Sequence, residues 1–166
     1  MHTNFPYIRL YNFMERKELI DYNIKATWHA IARMYNQYAI KHNITTSMAF
    51  VLLNIDSKEG TPATKIAPLM GMEARSLTRI LKSMEGKKLI IRKKDTNDGR
   101  MVKIFLTDLG KQKKEIAQEK VKTFNSVLKN RIPDKNLHVF FKVIDTINFF
   151  IENGEIKKYL NSEQSL

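Results

Sequence analysis

Residues 92–110 read RKKDTNDGRMVKIFLTDLG, and this stretch carries the signature of a chain reversal between two strands. The tip at 97–99 is Asn-Asp-Gly, whose residues tolerate the positive backbone angles of a tight hairpin. An apolar, partly branched run follows at 101–106, and the residues at 89–93, LIIRK, are short and branched as well. The stretch therefore predicts a β-hairpin.

Upstream of the hairpin, residues 61–72 predict a short helix and a turn. Thr61 followed by Pro62 is typical of a helix start, since threonine accepts free amide hydrogen bonds and proline has no amide to satisfy. Pro68 is expected to kink or shorten this helix, and Met-Gly-Met at 70–72 is expected to form the turn. The residues expected to be buried are Ile66, Ala67 and Leu69.

The segment EARSLTRILKSMEGKK, residues 73–88, predicts a second helix with two different faces. Its apolar face carries Leu77, Ile80, Leu81 and Met84. Its polar, basic face carries Arg75, Ser76, Arg79, Lys82 and Ser83. A short helix, a glycine turn and a helix with a basic outer face form the helix-turn-helix pattern, and the hairpin behind it completes a winged helix.

Long helices are predicted on both sides of this block. An apolar stripe between residues 15 and 42 has members three and four positions apart: Ile20, Ile24, Trp28, Ile31, Tyr35 and Tyr38. Thr45 or Thr46 is expected to cap the next helix, which buries Met48, Val51, Leu52 and Ile55 and is followed by a stop at Gly60.

After the hairpin, Thr107 is expected to cap a helix that runs to about Arg131. Ile-Pro-Asp at 132–134 breaks the chain, and a last helix runs from Lys135 to about Asn153. Its apolar residues cover more than one stripe, which indicates burial against its own subunit and against another.

The predicted fold is mainly α with a small β-hairpin. A winged helix-turn-helix DNA-binding domain is expected at 45–107. Long N- and C-terminal helices, at 1–44 and 108–166, are expected to form a helical dimerisation region.

The charge distribution favours a polyanionic partner. The 166-residue chain has a formal net charge of +12, and residues 60–105 contain eleven basic against four acidic side chains, so this segment carries +7. A solvated basic face is the alternative explanation of such a cluster. The absence of cysteine excludes a thiolate metal site or a disulfide framework, and without a signal sequence or an apolar span we expect a cytoplasmic protein that does not enter the membrane.

The wing and the helix-turn-helix resemble the MarR family of bacterial transcription regulators. The family's wing motif is matched by Asp95, Asp98, Arg100, Val102, Ile104, Leu106, Thr107 and Gly110. The order of elements agrees over about residues 20–151, and the diagnostic part is 66–110. The resemblance implies that the second helix of the motif enters the major groove through Arg75, Ser76, Arg79 and Lys82. It implies that the wing reaches the adjacent minor groove, with Lys93, Lys94, Asn97 and Arg100 as the candidates.

Arg100 has two interpretations in this comparison. It inserts into the minor groove, or it pairs with Asp98 or Asp95 and stiffens the wing. The family often has a further arginine near the tip, where this chain has Asn97 and Gly99.

The function implied is that of a homodimeric, ligand-responsive regulator, more often a repressor, bound to a palindromic site in double-stranded DNA. Small aromatic or phenolic anions are the implied effectors. Trp28, His29 and Tyr35 are the candidate effector-binding residues, with ordinary dimer core as the alternative.

Two other classes of function were weighed. A winged-helix interaction module would use the same basic face for an acidic protein partner. An enzyme is not expected, since the four histidines are scattered and the chain has neither a phosphate loop nor a nucleophile elbow; no metal and no cofactor are predicted.

Overall fold

The computed structural model describes residues 15–95 and 101–162. After one 3-10 turn at Arg16–Glu18, the elements are α1 (Ile20–Lys41), α2 (Thr46–Leu53), β1 (Thr61–Pro62), α3 (Ala63–Leu69), α4 (Ala74–Gly86), β2 (Ile90–Lys94), β3 (Val102–Leu106), α5 (Asp108–Lys129), α6 (Asp134–Glu152) and α7 (Glu155–Ser162). The chain divides into two compact units, Met1–Lys120 and Val121–Leu166. The mainly α fold with a winged helix-turn-helix is confirmed.

The hydrophobic core of the first unit joins the helix-turn-helix to the wing. The predicted inner face of α2 is fully confirmed, and Ile66 of α3 is completely buried. On α4 three of the four predicted positions are buried and Ile80 packs at the margin of the core. The wing and the residue before it add Leu89, Ile90, Ile104 and Leu106, and Ala39, Ile44 and Ala67 are buried in the same core.

The prediction that Leu69 is buried is wrong, since this side chain is 66% exposed. Helix α3 has only seven residues and ends at Leu69, directly after Pro68, in agreement with the expected shortening. The chain then turns at Gly71, whose φ of 58° suits glycine. Met70 and Met72 pack against the core at this turn, in the place predicted for Leu69.

The sheet has three antiparallel strands in the order β1-β3-β2. The predicted hairpin is confirmed, with a register that pairs Ile90 with Leu106 and Lys94 with Val102. The tip residues 97–99 and Arg100 lie outside the described residues.

Strand β1 was not expected, and the prediction that Thr61 caps α3 is wrong. Thr61 pairs with Ile104 at the free edge of β3, and its hydroxyl accepts a hydrogen bond from the Asp56 amide at 2.8 Å. Helix α3 therefore begins after Pro62, which takes an edge position where a missing amide costs no ladder bond.

Two predicted threonine caps are confirmed. The Thr45 hydroxyl accepts the amide hydrogen of Met48 at 3.2 Å, and the Thr107 hydroxyl accepts that of Gly110 at 3.0 Å. Each bond satisfies an amide that has no partner within its own helix.

In the second unit, the break at 132–134 separates α5 from α6 as predicted, and α7 is a further helix that was not predicted. No residue of α6 is buried within the chain. Large apolar side chains are exposed along it, namely Val139, Phe140, Phe141, Val143, Phe149, Phe150 and Ile151. Across the described ranges, no helix combines the length and the apolar character that crossing a bilayer demands.

Candidate nucleic-acid interface

Helix α4 is held by one face and presents the other to solvent. Leu77, Leu81 and Met84 are buried, and their spacing fixes the rotation of the helix about its axis. The predicted DNA-binding residues of this helix, Arg75, Ser76, Arg79 and Lys82, are therefore all exposed. Within the described ranges none of these three cations takes part in an ion pair. Their charges are thus available to an external anion.

An ion pair fixes the wing to this helix. The Arg92 Nε on β2 lies 3.1 Å from a carboxylate oxygen of Glu85 on the last turn of α4. Arg92 was not among the predicted DNA-binding residues, and its charge is matched inside the protein. The pair connects the helix to the wing at a partly exposed position.

On the outer face of the hairpin, Lys93 and Lys103 stand directly opposite each other. Two like charges in that register repel, and Asp95 offsets the repulsion through an ion pair to Lys103 Nζ at 2.9 Å. This hydrogen-bonded partner raises the pKa of Lys103 above its usual value. Lys93 instead lies over the Phe105 ring, with its Nζ 5.3 Å from the ring centroid.

Lys93 and Lys94 are both exposed, and neither forms an ion pair within the described residues. Together with Arg75, Ser76, Arg79 and Lys82 on α4, they are the predicted DNA-binding residues that the structure describes. Asn97 and Arg100, the other two wing candidates, lie outside the described residues. The Asp95–Lys103 pair was not predicted from the sequence, because it depends on the register between β2 and β3.

A separate cleft of about 310 Å³ lies beside α1. Trp28 and Phe50 line it from α1 and α2, with Leu69, Met70 and Met72 on the opposite side. Trp28 stacks on Phe50 at 5.8 Å, and Tyr35 meets the same ring edge-on at 6.1 Å.

The three predicted effector residues therefore do not all lie together. The structure brings Trp28 and Tyr35 together around Phe50, and burial raises the pKa of the Tyr35 hydroxyl. His29 is exposed, and of the three predicted effector residues only Trp28 lines the cleft itself. The sequence analysis did not find Phe50, because one aromatic residue in an apolar helix gives no separate signal. Across residues 15–95 and 101–162 no group of acidic or histidine side chains could hold a metal ion.

The MarR family model matches residues 44–102, which span the helix-turn-helix and most of the wing. Among curated proteins, the HTH-type transcriptional regulator TtmR of Methylorubrum extorquens is 33% identical over 88 residues, covering 53% of this chain and 45% of TtmR. The HTH-type transcriptional regulator SarZ of Staphylococcus aureus is 30% identical over 96 residues, covering 57% of this chain and 65% of SarZ. The matched part thus spans less than two thirds of either relative.

Solved structures share the fold at low sequence identity. The transcriptional regulator SlyA has a TM-score of 0.69 at 19% identity, over 81% of this chain and 95% of SlyA. MepR of S. aureus, solved as a DNA complex, has a TM-score of 0.72 at 19% identity, over 78% of this chain and 96% of MepR. CouR from Rhodococcus jostii RHA1, bound to p-coumaroyl-CoA, has a TM-score of 0.70 at 17% identity, over 82% and 96%.

The fold and the exposed cationic helix define a winged helix-turn-helix protein. Residues 44–102 of this chain match the MarR family model, so its helix-turn-helix and most of its wing are similar to that family.

Proposed function

We propose that this protein is a homodimeric transcription regulator that binds a palindromic site in double-stranded DNA and acts as a ligand-responsive repressor. The observation that carries the proposal is the face of α4 with three exposed cations outside any described ion pair, next to a wing that adds two more. TtmR and SarZ bear the name of HTH-type transcriptional regulators, which supports the same role. MepR was solved with DNA and the repressor CouR with a 23-mer duplex.

In the proposed complex, α4 enters the major groove. Arg75 and Arg79 can each donate two hydrogen bonds to a guanine, whereas Ser76 and Lys82 suit phosphate oxygens. Lys93 and Lys94 on the wing hold the backbone of the adjacent minor groove, toward which Asn97 and Arg100 are proposed to point. For Arg100, insertion and bracing against an aspartate both stay open.

The proposed dimer forms through the helices outside 45–107. Helix α6 exposes several phenylalanine side chains, and exposure of this apolar surface to water is unfavourable. Helix α7 also exposes Ile156, Tyr159 and Leu160. Binding to a palindromic site requires the two α4 helices of the proposed dimer to lie about 34 Å apart, one turn of duplex DNA. The ranges 1–44 and 108–166 are thus proposed as dimerisation region, and 45–107 as the DNA-binding domain.

The proposed effector is a small aromatic or phenolic anion in the cleft at Trp28 and Phe50. The cleft is lined by α1, α2 and the start of the turn before α4, so its occupant would contact the elements that support the recognition helix. A ligand that prefers one spacing of the two recognition helices shifts the population toward it. CouR was solved bound to p-coumaroyl-CoA and PcaV in complex with its natural ligand, which supports a ligand-responsive role. We propose no catalytic activity.

Selection of bound fragments from the source genome, followed by titration at several salt concentrations, tests the proposal. A regulator should retain palindromic fragments and lose affinity steeply with salt. Arg75→Ala and Arg79→Ala should each weaken specific binding by about tenfold to hundredfold, as expected for lost guanine contacts.

Lys25→Ala is the matched control, since this exposed lysine lies on α1, away from the candidate interface. Binding left unchanged by both arginine variants would overturn the assignment of α4. Retention of an acidic protein without any DNA selectivity would instead support the interaction module.

A further inference from the structure

The turn between α3 and α4 carries two of the chain's eight methionines, Met70 and Met72. Both are partly buried and pack against the hydrophobic core, and both line the cleft beside α1. Met48 and Met84, by contrast, lie inside the core and are 5% and 0% exposed. Each methionine of the turn therefore supports the core and still presents part of its surface to a small molecule in water.

Hydrogen bonds make Met72 part of the end of α3. The Met72 amide donates to the Ala67 carbonyl at 3.1 Å, and the Gly71 amide donates to the Pro68 carbonyl at 3.0 Å. With the positive φ of Gly71, 58°, these two bonds form a Schellman motif, which ends the helix. In this motif the residue at the Met72 position commonly makes an apolar contact with the preceding helix, in agreement with its packing against the core.

The same residue lies just before the recognition helix. Helix α4 begins at Ala74, and its N-cap residue, Glu73, makes no side-chain hydrogen bond to the free amides. The first turn of α4, which carries Arg75, is therefore positioned by the buried Leu77 and by the packing of the turn before it. A change at Met72 acts on that packing at a short distance along the chain from Arg75.

Oxidation is the chemical change to which these side chains are open. The thioether sulfur attacks one oxygen of hydrogen peroxide, the O–O bond breaks, an S–O bond forms, and the second oxygen leaves as water with both protons. The sulfur loses the two electrons that reduce the peroxide. The chain has no cysteine, so no thiolate competes for the oxidant. The product, methionine sulfoxide, is polar, and packing its oxygen against apolar side chains without a hydrogen-bond donor is unfavourable.

We propose that Met70 and Met72 are a modification site at which a peroxide regulates the protein. Conversion to the sulfoxide destabilises the turn, displaces the first turn of α4 and weakens DNA binding. The effect on DNA rests on the proposed function, whereas the effect on the turn does not. The modification requires no ligand in the cleft, only access of the peroxide to the two sulfur atoms.

Treatment of the full chain with hydrogen peroxide, followed by peptide mass mapping, tests the site directly. Met70 and Met72 should each gain one oxygen before Met48 and Met84 do, because the latter two are enclosed by the core. The urea midpoint should fall, and the emission of Trp28, the single tryptophan, should change because it lines the same cleft. Affinity for the selected DNA fragment should fall about tenfold, as for one lost guanine contact. Methionine sulfoxide reductases should restore that affinity.

The double variant Met70→Leu, Met72→Leu keeps the apolar volume and removes both thioethers. It should bind DNA like the parent chain before treatment, and it should keep its affinity and its urea midpoint afterwards. The matched control is Met34→Leu, Met101→Leu, because these methionines are also partly buried but lie outside the turn. This control should lose affinity after treatment as the parent chain does.

Three results would overturn the proposal. One is oxidation of Met70 and Met72 no faster than that of Met48 and Met84. Another is an unchanged urea midpoint after both methionines of the turn have been oxidised. The last is an equal loss of DNA affinity in the leucine variant of the turn and in the parent chain, which would assign the loss to another residue. A parent chain that binds no DNA before treatment would instead contradict the proposed function, and the mapping and the urea midpoint would then decide the oxidation site alone.

Discussion

Gly110 marks the closest approach between α5 and the base of the wing. A Cβ atom at this position would lie 2.0 Å from the Leu89 carbonyl oxygen, far inside contact distance. Thr107 sits in the same junction, where its hydroxyl donates to the Lys88 carbonyl at 2.6 Å and its oxygen receives the Gly110 amide. The spacing Thr-Asp-Leu-Gly is therefore a packing requirement of this junction.

Gly110→Ala should destabilise the protein by about 1–3 kcal/mol, since backbone rather than a flexible side chain must move. Gly86→Ala is the control, because its Cβ would meet nothing within 4 Å and alanine is the better helix former. Urea unfolding of both variants measures the difference. Equal midpoints for the two variants would contradict the proposed crowding at Leu89.

Asp56 gives the fold a specific sensitivity to acid. Its carboxylate accepts the amide hydrogens of Glu59 at 2.7 Å and Lys58 at 2.8 Å, and these bonds lower its pKa below the usual 3.8. A lowered folded pKa means that the stabilisation is present above 3.8 and is lost as the pH falls through the folded value.

Asp56→Ala should therefore be less stable than the unmodified chain at pH 7, and the difference should shrink below pH 3.8. Urea unfolding at a series of pH values measures this. Ser57→Ala, in the same loop but without a titrating group, should show an effect independent of pH. A difference for Asp56→Ala that stays constant into acid would argue against the amide bonds as the cause.

At the scale of the element, the wing separates its charges into two kinds. Lys103 is neutralised by Asp95, whereas Lys94 and Lys93 remain accessible to phosphate. In a plot of log affinity against log salt concentration, each lysine–phosphate contact that is lost makes the negative slope less steep by about 0.9. Lys94→Ala should show that loss in fluorescence anisotropy with duplex DNA, and Lys103→Met should not.

Lys93 lies on the same strand as Lys94 but also packs over the Phe105 ring, so its variant tests charge and packing together. Lys93→Ala removes both a charge and the packing over Phe105, so it should lower the salt slope and also the stability of the hairpin. Equal slopes for Lys94→Ala and Lys103→Met would show that the Asp95 pair does not hold in the complex.

At the scale of the whole molecule, the exposed apolar side chains of α6 are the basis of the proposed dimer. Phe140 and Phe149 are 54% and 56% exposed within one chain, an exposure that burial against a second copy would reverse. Phe140→Asp should shift the proposed dimer to monomer at micromolar concentration, as measured by sedimentation or light scattering. The monomer should lose cooperative binding to a palindrome, because one recognition helix reaches only one half-site.

Asn136→Asp on the same helix introduces the same charge at an exposed polar position and should leave the mass unchanged. A monomeric unmodified chain would refute the dimer, and an unchanged mass for Phe140→Asp would move the interface away from this residue.

Most of the fold was accessible from local sequence patterns. The inner face of α2, the two threonine caps, the turn at Gly71 and the hairpin all depend on residues close together in the chain. Thr61 was mispredicted because a distant partner decided its structure: it pairs with Ile104 at the free edge of β3. Leu69 was mispredicted because α3 ends there, directly after Pro68, and Met70 and Met72 of the following turn pack against the core instead.

The sequence by itself determined the order of the six main helices and the hairpin, and the basic face of the second motif helix, because helical periodicity and turn chemistry act over a few residues. Only the tertiary structure decided which charged side chains form ion pairs within the protein. Arg92 with Glu85 and Lys103 with Asp95 are pairs made across elements, and the cleft beside α1 is bounded by residues far apart in the chain. Such pairings depend on how elements pack, and no spacing within one element encodes them.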